Sequence, residues 1–469
     1  MRVLFILIFT FALSSCSGNT TNGKSSFANQ TQGFEHREGF IDLYVNEKKG
    51  KVYANLPKVN DKGVSLRLIY TARLTAGLGS NAVGLDRGWG DSGQVVVFRE
   101  LGDKVVVEVE NLTYRASANA ELEKKAVNES FARSFISFID VLSRDSDGAM
   151  LVDLTAFLKR DALNIVPYLA AADQGNFSLK EDLTHIQTDA VFSFPDNAEM
   201  DVFLTLASNK PGGEISSTAA NGRDVTLIQH HSFVRLPDDN YIPLRSDPRA
   251  GVIEEVHFDY SATLTDTIER RLARRFRLEK INPEAERSKV KKPIVFYIDG
   301  GAPEPVRSAL VDGAKWWEEA FEAAGYIDAY QVKILPENIH PLDVRYNVVQ
   351  WVHRQTRGWS YGGGVADPRT GEMLKGHVNL GSLRVRQDRM IFEGLSGTSK
   401  LNSGDIDDPV ELALARIRQL AAHEVGHSLG FAHNFAASTY DKQSVMDYPA
   451  PDVRAINGNL ISLTLTELV

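Results

Sequence analysis

The 469-residue chain has a single cysteine, Cys16, so no disulfide can form within it. It also lacks a basic surplus: 52 lysines and arginines face 61 aspartates and glutamates, for a formal charge of -9. A protein that neutralises phosphates needs a basic face, so nucleic acid is not an expected partner. Past Leu13 there is no apolar run long enough to span a bilayer. Internal repeats, coiled-coil heptads and low-complexity tracts are missing beyond the first residues. What remains is 43% hydrophobic and 24% charged, enough for a sizeable core, and the length suits two domains better than one.

The start of the chain, MRVLFILIFTFALSSCSGNTTNGKSS, places Arg2 before a predominantly apolar run from Val3 to Leu13. A helix of that length rises about 16 Å against a hydrocarbon core of roughly 30 Å, too short for a stable span. The run fits the apolar region of a secretory signal. It ends in LSSC, which resembles the bacterial lipobox. That resemblance implies a signal peptide over residues 1–15, lipidation at Cys16, and an extracytoplasmic protein anchored by lipid to a bacterial membrane. Residues 16–33, rich in Ser, Asn, Thr, Gly and Gln, read as a flexible tether.

Residues 34–289 favour strands. QVVVFRELGDKVVVEVENLTYRA (94–116) alternates apolar and polar residues around an LGD turn, which predicts a hairpin, and 190–208 has the same shape. The stretch 118–143 has helical spacing. GLGSNAVG (77–84) has the glycines of a phosphate loop, but LDRGWGDSG follows in place of a helix, so it is predicted to be a plain loop. His230 and His231 are adjacent and would point to opposite faces of a strand, which argues against a paired ligand site. The arginine-rich stretch 270–292 reads as a solvated helix and linker.

From residue 290 the pattern changes. PIVFYIDGGAP (293–303) predicts a buried strand and 304–326 an amphipathic helix; 330–335 and 344–353 read as further strands. SYGGGVADPRTGEMLKGHVNLGSLRV (360–385) reads as a glycine-rich entry, a turn and two short strands. His353 and His377 stand alone and are expected to be structural, while Trp316 and Trp317 are expected in core and interface. A long helix then begins at DDPVE, with Asp408 as N-cap, Pro409 at the first helical position and Glu411 completing a capping box. It should run to about Leu429 and stop at Gly430.

That helix carries QLAAHEVGHSLGFAHNF (419–435). His423 and His427 are four residues apart, so both imidazoles project from one face. Two nitrogens so placed can meet one tetrahedral zinc at about 2.0–2.1 Å. Gly430 lets the chain reverse and bring His433 back as a third ligand, leaving a fourth position open, as in catalytic zinc sites. Glu424, beside His423, is placed next to the water that such a metal would hold.

The full H-E-x-x-H-x-x-G-x-x-H, with Met446 following in SVMDY, resembles the metzincin zinc peptidases. The resemblance implies His423, His427 and His433 as zinc ligands, Glu424 as general base and Met446 as the Met-turn methionine under the metal. S-x-M-x-Y resembles the astacin and serralysin branches, in which the tyrosine at the place of Tyr448 approaches the metal or the transition state. WWEEAFEAAGY, ADPRTGE and HEVGHSLGFAHNF together resemble large metalloproteases of bacterial lipoprotein type, most specifically from about residue 290. The implied fold is α+β: a β-rich N-terminal domain (34–289), then a metzincin-like α/β domain (290–469) with a twisted mixed sheet and a long active-site helix.

The implied activity is that of a zinc-dependent endopeptidase on peptide or protein substrates. Two other readings stand beside it: a surface binding protein that keeps a zinc site with weak catalysis, and a hydrolase of non-peptide amides. Retention of Glu424 favours an enzyme, because binding zinc needs only the histidines. Only residues 447–469 follow Met446, where metzincins continue into a C-terminal helix. The catalytic domain is therefore expected to be shortened, with at most two helical turns at its end. Oligomeric state is not readable.

Overall fold

The computed structural model describes residues 26–463, apart from 81, 118–119, 356, 406, 441–443, 450–451 and 457–458. The signal segment and Cys16 lie outside the described residues. Two large sheets dominate the rest.

The first is a 12-stranded antiparallel sheet formed by strands between Glu35 and Arg235. The predicted hairpins are there: Gln94–Leu101 pairs with Lys104–Val109, and His185–Ser193 with Asn197–Ala207. The sheet curls until its first strands meet His185–Ser193. Arg37 donates to Thr188 O at 2.9 Å, Phe40 N to Phe194 O at 2.8 Å, and Ser193 Oγ to Ile41 O at 2.7 Å. Alternate residues of these strands, among them Leu68, Phe98, Val107, Met200 and Phe233, fill the enclosed core.

The second sheet has six strands. We label its elements β1 (Ile294–Ile298), α1 (Val306–Ala323), β2 (Tyr330–Ile334), β3 (Asn347–Val352), β4 (Tyr361–Ala366), β5 (Glu372–Gly381), α2 (Leu383–Ser396) and α3 (Pro409–Leu429). The order is Arg275–Phe276, β5, β3, β1, β2, all parallel, with β4 antiparallel on the outer side of β5. Helices α1 and α3 cover one face, where Phe296, Val349, Val378, Leu310, Ala314, Ile417 and Val425 share a core. The opposite face packs on the curled sheet, with Val344 and Val365 against Ile69, Val95 and Val234. Polar links cross the same junction: Asn197 Nδ2 donates to Leu342 O (2.9 Å) and Val344 N to Asn197 Oδ1 (3.1 Å). The mixed α+β architecture, β-rich first and α/β at the end, is the one expected.

Several local expectations are corrected. Residues 26–33 are not a free tether. Phe27–Gln30 forms a short helix, Phe27 meets Tyr44 edge to face at 5.5 Å, and Asn46 Nδ2 holds Gly33 O at 3.1 Å. The helical spacing of 118–143 serves only Glu121–Ser130; Ser134–Arg144 is a strand, rich in aromatic and β-branched residues that sheet pairing favours. No helix forms over 270–292. Glu269–Ala273 is a strand, and arginines in and after it are paired with acids, Arg271 with Glu254 and Glu269, Arg274 with Glu255 and Arg277 with Glu372. The second short strand expected to end at Val385 stops at Gly381, and α2 follows. After the Met-turn, Asp452–Ile456 and Asn459–Leu463 form a hairpin, and the helical turns expected at the very end fall on residues 464–469, outside the described residues. The Asn457–Gly458 pair between them is a strong hairpin signal that helix spacing overlooked.

Candidate metal centre

α3 begins as its sequence dictates. Asp408 Oδ1 accepts from Val410 N at 2.9 Å, and Pro409 occupies the first turn, where its missing N–H costs nothing. It ends at Gly430, whose φ of 109° only glycine adopts readily, and Phe431 N closes the turn on Gly426 O at 3.0 Å. The chain then reverses and returns His433 to the helix face.

The three histidines meet. His427 Nε2 lies 3.2 Å from His423 Nε2 and 3.2 Å from His433 Nε2. Bonds of 2.0–2.1 Å to one tetrahedral ion would set ligand nitrogens about 3.3 Å apart, so the donor set fits zinc. Each helical ring is fixed from behind: His423 Nδ1 donates to Val445 O and His427 Nδ1 to Phe431 O, both at 2.7 Å. Those bonds leave Nε2 as the free ligand atom on each ring. Burial lowers the His423 pKa to about 4 and lowers that of His427, with the neighbouring imidazoles adding to the effect. Neutral imidazole is the form a metal needs.

Glu424 is 5% exposed and its pKa is raised to about 7 by burial, against the opposing pull of the Gly362 amide and the Arg384 charge. The closeness of β4 explains that burial. Any Cβ on Gly362 would collide with Glu424 O, so glycine there lets the strand lie directly on the helix. Gly363 N adds a bond to Ser428 Oγ at 3.1 Å. Met446 is buried beneath α3, against Gly426, and Asn434 N reaches its carbonyl at 2.9 Å. The Tyr448 hydroxyl lies 2.7 Å from His433 Nε2, on a side chain that is 65% exposed; burial and then Glu424 raise its pKa.

Residues excluded at the start stay outside. His353 bonds Ser382 Oγ (2.8 Å) and His377 bonds Gln350 Oε1 (2.9 Å). His230 and His231 do face opposite ways, one to Asp201 and Glu199, the other to Tyr70 and Leu158 O. Trp317 is in the core, its Nε1 donating to Ala422 O at 2.8 Å. Sequence reasoning missed the supporting parts: the Val445 and Phe431 carbonyls, Arg384 on α2, and Phe435, which stacks on His433 at 5.1 Å. Backbone acceptors carry no side-chain signal, and Arg384 lay in a segment read as strand.

A sheet with a long helix across it, and three histidine nitrogens converging at that helix's end, define a metal centre of the zinc-peptidase kind. Residues 405–467 match a family model described as Met-zincin, and the cluster of His423, His427 and His433 fits the zinc site of an H-E-x-x-H-x-x-G-x-x-H motif. Residues 90–281 match a model described as a domain of unknown function. No curated protein matches the chain. Family match and histidine triad together support a zinc metalloprotease.

Proposed function

We propose that the protein is a zinc-dependent endopeptidase with Glu424 as general base. The observation that carries this reading is a buried carboxylate of raised pKa on the residue that follows His423, at the helix end where three histidine Nε2 atoms converge. Zinc, when bound, supplies Lewis-acid polarisation of the scissile carbonyl and acidifies a water toward pKa 7. Glu424 would take a proton from the attacking water and return it to the departing amine. Tyr448, with its hydroxyl at the rim of the ligand atoms, donates to the oxyanion that develops. Strand β4, whose only strand partner among the described residues is β5, receives an extended peptide along the sheet edge. Phe435, 59% exposed beside His433, gives the rim an apolar contact for a substrate side chain.

The test is a peptide-library digest with the purified protein, with and without chelator. Cleavage that disappears with chelator and returns with added zinc is the expected result. Bound zinc without any cleavage would instead leave a binding protein.

The same reading extends to location, where the support is sequence alone. We propose that the mature chain begins at Cys16 and is held to a membrane by lipid outside the cytoplasm. Single-chain acylation anchors only marginally, whereas several chains hold firmly. Cys16→Ser should therefore shift the protein from the membrane to the soluble fraction or leave it unprocessed. A processed variant that stays on the membrane would contradict lipidation.

A further inference from the structure

The loop that carries the third histidine does not stand on its own. Between the curled sheet and the second sheet, residues 251–253 run antiparallel to 430–432. Val252 pairs with Phe431 as an isolated bridge, flanked by Ile253 N to Gly430 O at 2.7 Å and Ala432 N to Gly251 O at 2.9 Å. The strand-like segment is itself backed on its other side, where Arg274 N donates to Ile253 O at 2.8 Å. Phe431 is further fixed by stacking on Trp317, with centroids 5.0 Å apart and planes 10° from parallel.

These bonds reach two metal ligands. The Phe431 carbonyl is the acceptor that orients His427, and Phe431 is the residue that Val252 pairs with. His433 lies between Ala432, tied to Gly251, and Asn434, tied to Met446. The N-terminal anchor of His433 thus comes from the β-rich half of the chain, and the C-terminal anchor from the Met-turn. Outer partners that orient metal-binding histidines typically contribute 10–100-fold to metal affinity.

We infer that residues 251–253 are positioning residues of the metal centre: a strap from the β-rich half that presents His427 and His433. The inference rests on the zinc reading of the triad. It gives the long N-terminal half a role in metal binding that holds whatever the substrate.

Two substitutions separate the strap from general stability. Ile253→Pro removes the donor to Gly430 O and nothing from the metal shell. Gly251 has φ +61° and open space around its Cβ position, so a side chain there acts through backbone conformation alone. Valine resists that conformation, whereas asparagine tolerates it. Zinc affinity is measured by chelator competition on the full chain, with circular dichroism reporting the fold. Ile253→Pro and Gly251→Val are each expected to weaken zinc binding by about 10–100-fold, while Gly251→Asn stays within about threefold of the parent. Should Ile253→Pro fail to fold, the valine–asparagine pair decides. Folded Gly251→Val that holds zinc as tightly as Gly251→Asn overturns the strap, and a parent chain that binds no zinc overturns the site itself.

Discussion

Glu424→Gln is expected to lower kcat by at least about 10²-fold while zinc stays bound, the usual scale for loss of a general base. Glutamine keeps the side chain's shape, and its amide oxygen still accepts from the Gly362 amide that meets Glu424. What it loses is the capacity to take a proton. None of the three ligand nitrogens belongs to this residue, so metal content measured by elemental analysis should match the parent. Undiminished turnover would remove Glu424 from the mechanism. Tyr448→Phe is the comparison: loss of an oxyanion donor should reduce kcat on the order of 10–10³-fold with little change in KM. A change in KM alone would assign Tyr448 to ground-state binding.

His230→Gln should cost about 3–5 kcal/mol of stability, although it lies in the first sheet and takes no part in the proposed chemistry. His230 is enclosed by two carboxylates: Nδ1 meets Asp201 Oδ1 at 2.6 Å and Nε2 bonds Glu199. Those carboxylates have further partners, Thr75 for Asp201 at 3.0 Å and Ser232 for Glu199 at 2.5 Å. Burial alone would lower the imidazole pKa, but Glu199 and Asp201 outweigh it and hold the ring charged, with a pKa of about 10. Glutamine would leave the buried acids without their cation. The sign of the pH dependence follows. With a folded pKa of about 10 and an ordinary value of 6.5, the contribution is complete below pH 6.5 and is lost as pH rises toward 10. Denaturation midpoints of parent and variant should therefore differ most at or below pH 6.5 and converge toward pH 10. A difference that is constant with pH would mean that His230 is neutral in the fold.

The sequence revealed the metal centre more fully than the fold around it, for a physical reason. Three ligands and a base within eleven residues obey the geometry of one helix and one turn, and the capping residues Asp408, Pro409 and Gly430 mark the ends of that helix. Strands with clear alternation were equally readable, as at 94–116. The failures occurred where tertiary pairing overrode local spacing. Ser134–Arg144 is compatible with a helix until Lys104–Val109 offers it a partner. The arginines at 271, 274 and 277 look solvated until Glu254, Glu255 and Glu372 arrive from elsewhere in the chain. The strap at 251–253 gave no signal at all, because it acts through backbone groups that every residue carries.

The order in which these parts join bears on how the molecule folds. Hairpins such as Gln94–Val109 close over a few residues, whereas the strap pairs residue 253 with residue 430 and the second sheet pairs 275 with 372. Contacts of such separation must overcome a larger loop-closure entropy and slow the search for the native state. Local hairpins of the first sheet therefore close early, and the bonds that tie residues 430–432 to residues 251–253 form late.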